Sequence, residues 1–376
     1  MLMPRPISKS YDVVVAINYY YPHISGLTRT AQVVAEACVR SELSVKVVCI
    51  RHDERSPRHE VVNGVVVERV PVIGHIENGL LSPGFPLRVA RSAKRAGVLH
   101  LHLPMAEGAL IAALTRGIPR IVTYHCDATS SNRFIRPIIH SLVDASTRMT
   151  IRGASQTIVS SLDYAEASRV STALRGATEI FPVVLDQRGG KPIFRQGSGP
   201  RYGYLGRLAP EKGLPELIQA FKKADIKESV LIIAGPTPPL ADRRVTELVN
   251  HESATNPQVR YLGALDESEL KNFYASIDYF VLPSTNGLEA FGIAQAEALI
   301  CGLPVIATNL PGVKTLLQRF GDGILVPPGD VAALAKALSA IQSVPKGSNV
   351  AQPLLTGTGQ YLQLIRDVLR SSALSN

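Results

Sequence analysis

A chain of 376 residues, 45% apolar and 19% charged, is too long for one ordinary core and suits two globular domains, with no low-complexity tract. No apolar run approaches the roughly 20 residues of a membrane span. The proline-interrupted start, Met1 to Ser10, lacks the apolar core of a signal peptide, so a cytoplasmic protein is expected. Cys38, Cys49, Cys126 and Cys301 are scattered without metal-ligand spacing and read as reduced thiols. The net charge of +9 is concentrated N-terminally, with 21 basic against 15 acidic residues up to Asp186.

Tyr11 to Ile17 is a β-branched run of the kind a buried parallel strand shows. A polar turn holding Gly26 follows, then a helix from about Thr28 to Arg40. Glycine just before a helix start lets a bound group approach the backbone closely, although a plain loop glycine gives the same pattern. Val45 to Ile50 is the next strand, and Val61 to Val70 reads as a hairpin turned at Asn63-Gly64. The first basic stretch, Arg88 to Arg95, precedes the strand Val98 to Pro104, which carries His100 and His102 on one face. Nothing nearby completes a metal ligand set. His100 reads as a core residue and His102, at the strand's C-terminal end, as an acceptor contact.

Ile121 to Asp127 delivers His125 at another strand end, ahead of the second basic stretch, Arg133 to Arg152. Each basic stretch reads either as a solvated helix face or as a basic helix lying on anionic lipid. No recognised motif accompanies the charge, so no nucleic-acid partner is expected. Strands at Ser155 to Ser160 and Ala177 to Phe181 continue the β/α alternation. The glycine- and proline-rich stretch Asp186 to Pro200 reads as an interdomain linker.

The pattern restarts at Arg201. Arg207 closes a strand, and Lys212 stands just before a helix from Leu214 to Lys223. Both cations emerge where strand C-termini and helix N-termini meet, as a diphosphate site requires. Strands follow at Val230 to Ala234, Gln258 to Leu262 and Asp278 to Leu282. The stretch Pro283 to Gly312 then runs from a strand end through a loop bearing Glu289 to a helix opening at about Phe291 and carrying Glu297, and on through a strand, Pro304 to Ala307, to a turn. Each carboxylate is expected within a ligand's reach, with Phe291 to Ile293 facing a diphosphate. Gly323 to Val326 is a further strand, Asp330 starts a helix, and Tyr361 to Leu369 is amphipathic. No D-x-D occurs, so a metal-held diphosphate has no obvious ligands, and no metal or other cofactor is expected. The phosphate-binding glycine fingerprints of triphosphatases and nicotinamide enzymes are also absent.

The segments E-A-F-G-I-A-Q-A-E (Glu289 to Glu297), A-L-x-C-G-L-P-V-I-A-T, G-R-L-A-P-E-K-G (Gly206 to Gly213), Y-Y-P-H-I-S-G-L and T-Y-H-C-D together resemble the family 4 retaining glycosyltransferases of glycosyltransferase-B architecture. The resemblance implies an α/β fold of two Rossmann-like domains facing each other across a cleft. Residues 1–190 would form an acceptor-binding domain and 191–355 a nucleotide-sugar domain, with the helix 356–376 packing back on the first. It implies that Arg207 and Lys212 neutralise the donor diphosphate, that Glu289 binds the sugar and Glu297 the ribose, and that backbone around Ala290, Phe291, Gly292 and Ile293 meets sugar or phosphate. It also implies that His125 lies against the donor sugar and that Gly26 lets the first loop close on the phosphate. His102 and Asp127 are assigned to the acceptor side. The reaction would be metal-free hexosyl transfer with retention, from a UDP- or GDP-linked sugar to a glycan or lipid-linked acceptor, in surface polysaccharide assembly at the inner membrane face. Two readings stay open beside it: a sugar-nucleotide epimerase or phosphorylase of the same architecture, and a non-catalytic two-lobed sugar-binding protein.

Overall fold

The computed structural model describes residues 10–374 except 24, 77–78, 131–132, 183, 238–242 and 348. The chain's first nine residues, Ile24 of the first loop and Val183 at the linker entry therefore lie outside the described residues. The chain divides into two compact units, Met1–Val183 with Thr356–Asn376, and Val184–Leu355.

In the first unit the elements run β1 (Tyr11–Ala16), α1 (Gly26–Arg40), β2 (Val45–Ile50), β3 (His59–Val62), β4 (Val65–Val70), β5 (Gly74–Ile76), β6 (Gly79–Leu81), α2 (Gly84–Ala93), β7 (Ala96–Leu103), α3 (Gly108–Leu114), β8 (Arg120–Tyr124), α4 (Arg136–Ile151), β9 (Gln156–Val159), α5 (Leu162–Ala167) and β10 (Thr178–Glu179). The main sheet has the order β10-β9-β8-β7-β1-β2-β4-β3 and is parallel except for the β3–β4 hairpin. That hairpin turns at Asn63 and Gly64, whose φ angles of 50° and 83° suit an Asn-Gly turn. Valine-rich β1 and β2 and leucine-rich β7 are buried on both faces, as the cover of helices on a parallel sheet requires.

The second unit runs β11 (Arg201–Leu205), α6 (Leu214–Ala224), β12 (Val230–Ala234), α7 (Arg243–Thr255), β13 (Val259–Tyr261), α8 (Glu267–Ser276), β14 (Tyr279–Leu282), α9 (Ile293–Ile300), β15 (Val305–Thr308), α10 (Val313–Phe320), β16 (Gly323–Val326) and α11 (Val331–Ala340). Its sheet is wholly parallel in the order β13-β12-β11-β14-β15-β16. Tyr202, Leu217, Leu231, Val281 and Ile306 are among the residues of its core. The last helix, α12 (Gly357–Leu374), returns to the first unit, where Tyr361 is buried and Leu369 leaves no room for a Cβ at Gly97.

The stretch expected as a linker is not free. Lys191 N–H donates to Asn272 Oδ1 (2.8 Å), Phe194 N–H to Ser276 Oγ (3.1 Å), and Arg195 pairs with Asp278 (3.1 Å), so this segment is laid against the second unit. Gly190 and Gly199 serve close approach, since a Cβ on Gly190 would sit 2.0 Å from the Lys271 carbonyl oxygen and one on Gly199 2.4 Å from the Glu228 carbonyl oxygen.

The parallel strands of each sheet switch to the other side of the first strand between β1 and β7 in the first unit and between β11 and β14 in the second. Loops leaving neighbouring strands in opposite directions open a crevice there, which is where open α/β sheets bind ligands.

Candidate active site

In the second unit the loops after β11 and β14 flank the switch point, and they are bonded to each other. Lys212 Nζ lies 2.6 Å from Glu289 Oε2, and Ser284 Oγ, fully buried, is 3.4 Å from the same oxygen. Thr285 N–H donates to the Glu211 carbonyl (2.9 Å). Gly213, between Lys212 and α6, has φ +70°, and a Cβ there would lie 1.9 Å from the Pro283 carbonyl oxygen. Only glycine lets the two loops close to this separation. Gly235 does the same one strand over, with a Cβ position 2.0 Å from the Gly206 carbonyl oxygen.

The structure thus brings Lys212 and Glu289 into one ion pair, with side chains 17% and 15% exposed. Arg207 is nearly half exposed on the same loop and is steered by Glu211 at 3.0 Å, while its carbonyl accepts from the buried Tyr204 hydroxyl (2.9 Å). The helix after the Glu289 loop opens at Ile293, two residues later than expected, because Gly292 takes φ +86°, outside the helical range. Ala290 and Phe291 are buried and Ile293 is half-buried at this turn. The first N–H groups of α9, and those of the longer α6 that follows Gly213, have no intrahelical acceptor and favour an anion.

Glu297 is less open than expected: it is 3% exposed, and Tyr274 Oη donates to its Oε2 at 2.9 Å, which leaves Glu289 the more open of the two carboxylates. Its position on the inward face of a helix between two buried strands explains this. Tyr274, Ser284 and Glu211 escaped the sequence reading because each acts through a contact that spacing alone does not reveal.

In the first unit Gly26 is the first residue of α1 rather than a residue before it. Ser25 is the cap: its Oγ accepts from Thr28 N–H (3.2 Å), and Thr28 Oγ1 accepts from Ser25 N–H (2.8 Å). A Ser-x-x-Thr signal of this box stands in the sequence. His100, His102 and His125 form a stack, with ring centroids 4.3 and 5.2 Å apart, and His102 Nδ1 bonds His125 Nε2 at 2.9 Å. His100 Nε2 meets Thr123 Oγ1 at 2.8 Å.

His102 is 1% exposed, which corrects its assignment to the acceptor. The alternation of β7 turns it inward, where its ring lies behind that of His125. Asp127 is likewise taken by the fold. Its carboxylate accepts from Tyr124 Oη, from Ser168 Oγ (2.8 Å) and from Arg169 N–H (3.3 Å), so it braces the loop after β8. His125 itself is half-buried at the strand end.

Burial holds the imidazoles of His100 and His125 down at about 3, and it holds His102 well below its usual value, with neighbouring rings lowering His100 and His102 further. In the folded protein these rings are neutral, whereas an unfolded chain binds protons on them below about pH 6.5. Stability from these residues is therefore complete above pH 6.5 and falls as pH drops toward 3, by about 1.4 kcal/mol per pH unit for each ring. Urea melts between pH 7.5 and 5 should show this slope, and His102→Phe should remove about one ring's share of it. Equal slopes in the two proteins would contradict the neutral stack.

Two family models match the chain: one described as a glycosyl transferase 4-like domain over residues 25–183, the other as glycosyl transferases group 1 over residues 191–349. The chain is 27% identical over 277 residues to the 2-deoxystreptamine glucosyltransferase of Streptomyces kanamyceticus, covering 66% of this chain and 69% of that one. It is 28% identical over 340 residues to the GDP-mannose-dependent alpha-mannosyltransferase of Mycobacterium tuberculosis (strain CDC 1551 / Oshkosh), covering 85% and 84%. Among solved structures, the sucrose-phosphate synthase of Thermosynechococcus elongatus matches with a TM-score of 0.69 at 19% identity, covering 96% of this chain and 97% of that one. Identity that low speaks for a shared fold alone.

Proposed function

The chain belongs to the family 4-type glycosyltransferases of glycosyltransferase-B architecture, and from that premise we propose a retaining, metal-free hexosyltransferase. Its donor is a UDP- or GDP-linked sugar, and its acceptor is a hydroxyl of a glycan or lipid-linked molecule in surface polysaccharide assembly. The observation that carries this reading is the convergence of Arg207, Lys212 and Glu289 with the starts of α6 and α9 at one switch point. Relatives whose names specify glucosyl transfer and a GDP-mannose donor support it.

In this reading the bond from the sugar's anomeric carbon to the β-phosphate oxygen breaks, and the acceptor oxygen attaches on the same face. The acceptor proton passes to the departing phosphate. Negative charge grows on the leaving diphosphate, and cations fixed in advance favour that charge more than they favour the ground state. Lys212 already points across the strand ends without leaving an uncompensated charge, because Glu289 pairs it at rest. A phosphate then shares the ammonium, and Glu289 is left to accept from sugar hydroxyls. Arg207 supplies the second cation by exchanging Glu211 for phosphate oxygens. Glu297, held by Tyr274, takes the ribose hydroxyls, and the backbone from Ala290 to Ile293 meets sugar and phosphate.

Product analysis tests the reading. The glycoside formed from an α-linked nucleotide sugar should show the α-anomeric coupling by NMR, at a rate that excess EDTA leaves unchanged. An inverted product, EDTA-abolished transfer, or interconversion of the nucleotide sugar without an acceptor would contradict it.

A further inference from the structure

Helix α4 is built inside out. Its buried residues are Asp144, Ser146, Thr147, Thr150 and Ile151, so its inward face is largely polar. Those polar groups are used: Ser146 Oγ accepts from Ala109 N–H (3.0 Å) and donates to the Ala106 carbonyl (2.8 Å), and Asp144 takes the Arg169 guanidinium at 2.8 and 3.0 Å. The outward face carries Ile138, Leu142 and Met149, which are 60, 65 and 60% exposed, in line with Phe134 just ahead of the helix at 74%. Steps of four and seven residues place these side chains on one stripe, and the exposed Ala145 lies on it too. A helix on a protein that meets only water shows the opposite arrangement. Helix α3, which packs against both α2 and α4, adds exposed Leu110 and Leu114, and α2 adds Leu87.

Charge identifies the occupant. Arg133, Arg148 and Arg152 are exposed beside the apolar row, and the one acid of α4, Asp144, is buried against Arg169. An apolar stripe about 20 Å long, flanked by guanidinium groups with no carboxylate, is complementary to a surface that is apolar at shallow depth and anionic at its rim. A bilayer containing anionic phospholipid has that profile: apolar side chains enter the boundary of headgroups and acyl chains, and arginines meet the phosphates. No helix among the described residues is long and apolar enough to cross a membrane, so the contact is one of lying on the surface. We infer that the outward face of α4, extended by α3 and α2, docks the chain on an anionic lipid bilayer. The inference deepens the proposed action on a lipid-linked acceptor and rests on that reading only for its biological purpose, because docking needs no donor.

The test is co-sedimentation of the full chain with phosphatidylglycerol–phosphatidylcholine vesicles and with phosphatidylcholine alone, at low and high salt. Retention on the anionic vesicles should be strong at low salt and weak at high salt. Ile138→Gln/Leu142→Gln should lower it about tenfold or more, and Arg148→Gln/Arg152→Gln should lower it and flatten its salt dependence. Both variants alter exposed positions and should keep the parent's thermal melt and its binding of UDP or GDP, so failure to dock is separable from failure of the donor site. No retention at low salt, or retention undiminished in either variant, overturns the inference. So does a dimer in sedimentation equilibrium that Ile138→Gln/Leu142→Gln dissociates, since that assigns the face to a second copy of the chain.

Discussion

Lys212→Ala should lower kcat/KM for sugar transfer by about two to three orders of magnitude, the range seen when one fixed donor to a developing anion is removed. Its effect on stability should be smaller. Removal strands the Glu289 carboxylate, which keeps Ser284 within 3.4 Å and some access to water, so the cost is about 1–3 kcal/mol. The two effects separate cleanly in a double variant. Lys212→Ala/Glu289→Ala removes both charges and should regain most of the lost stability while regaining no activity, because an electrostatic term that acts on the leaving group has no substitute in the folded pair. Recovery of transfer in the double variant would mean that the ion pair is structural and that the phosphate is neutralised elsewhere.

Gly213→Ala should cost about 2–4 kcal/mol in unit stability, and UDP or GDP binding should fall with it. Two separate causes add. The residue sits at φ +70°, where a side chain is strained, and the new Cβ would lie 1.9 Å from the Pro283 carbonyl oxygen, which belongs to a backbone that cannot step aside without moving Glu289. Gly263→Ala is the control, since its φ of +78° is equally unfavourable but nothing lies within 4 Å of the added carbon. It should show the strain alone, about 1 kcal/mol, with binding intact. Thermal or urea melts of the two variants read the difference, and equal losses would show that the loop contact has no weight.

The strands of the second unit were legible almost residue by residue, because β/α alternation, β-branched runs and glycine punctuation all agree there: Val230–Ala234 and Gly323–Val326 stand where the sequence put them. The cations and Glu289 were legible for the same reason, since a residue just past a strand end has only one edge to emerge on. The strand order was not, and it is the switch between β11 and β14 that makes neighbours of two loops lying some seventy residues apart. Burial at a single position was also hidden. Glu297 and His102 follow the correct periodicity, but periodicity does not say which neighbour covers them, and Tyr274 and His125 do so from 23 residues away. The same limit applies to α4, whose basic residues were evident while the inward turn of its serines and threonines, and so the outward apolar row, depended on partners in α3 and at Arg169.

Arg207 and Lys212 on the β11 loop, with Glu289 on the β14 loop, are proposed as the seat of a nucleoside diphosphate. That seat is tested most directly by calorimetric titration of UDP and of GDP, with EDTA present, into the unaltered chain and into Lys212→Ala and Arg207→Ala. One of the two nucleotides should bind the unaltered chain without metal, and each variant should weaken that binding about tenfold or more, in keeping with the loss of a charge-assisted contact. Undiminished binding in both variants, or binding that appears only when a divalent metal is restored, would contradict the claim.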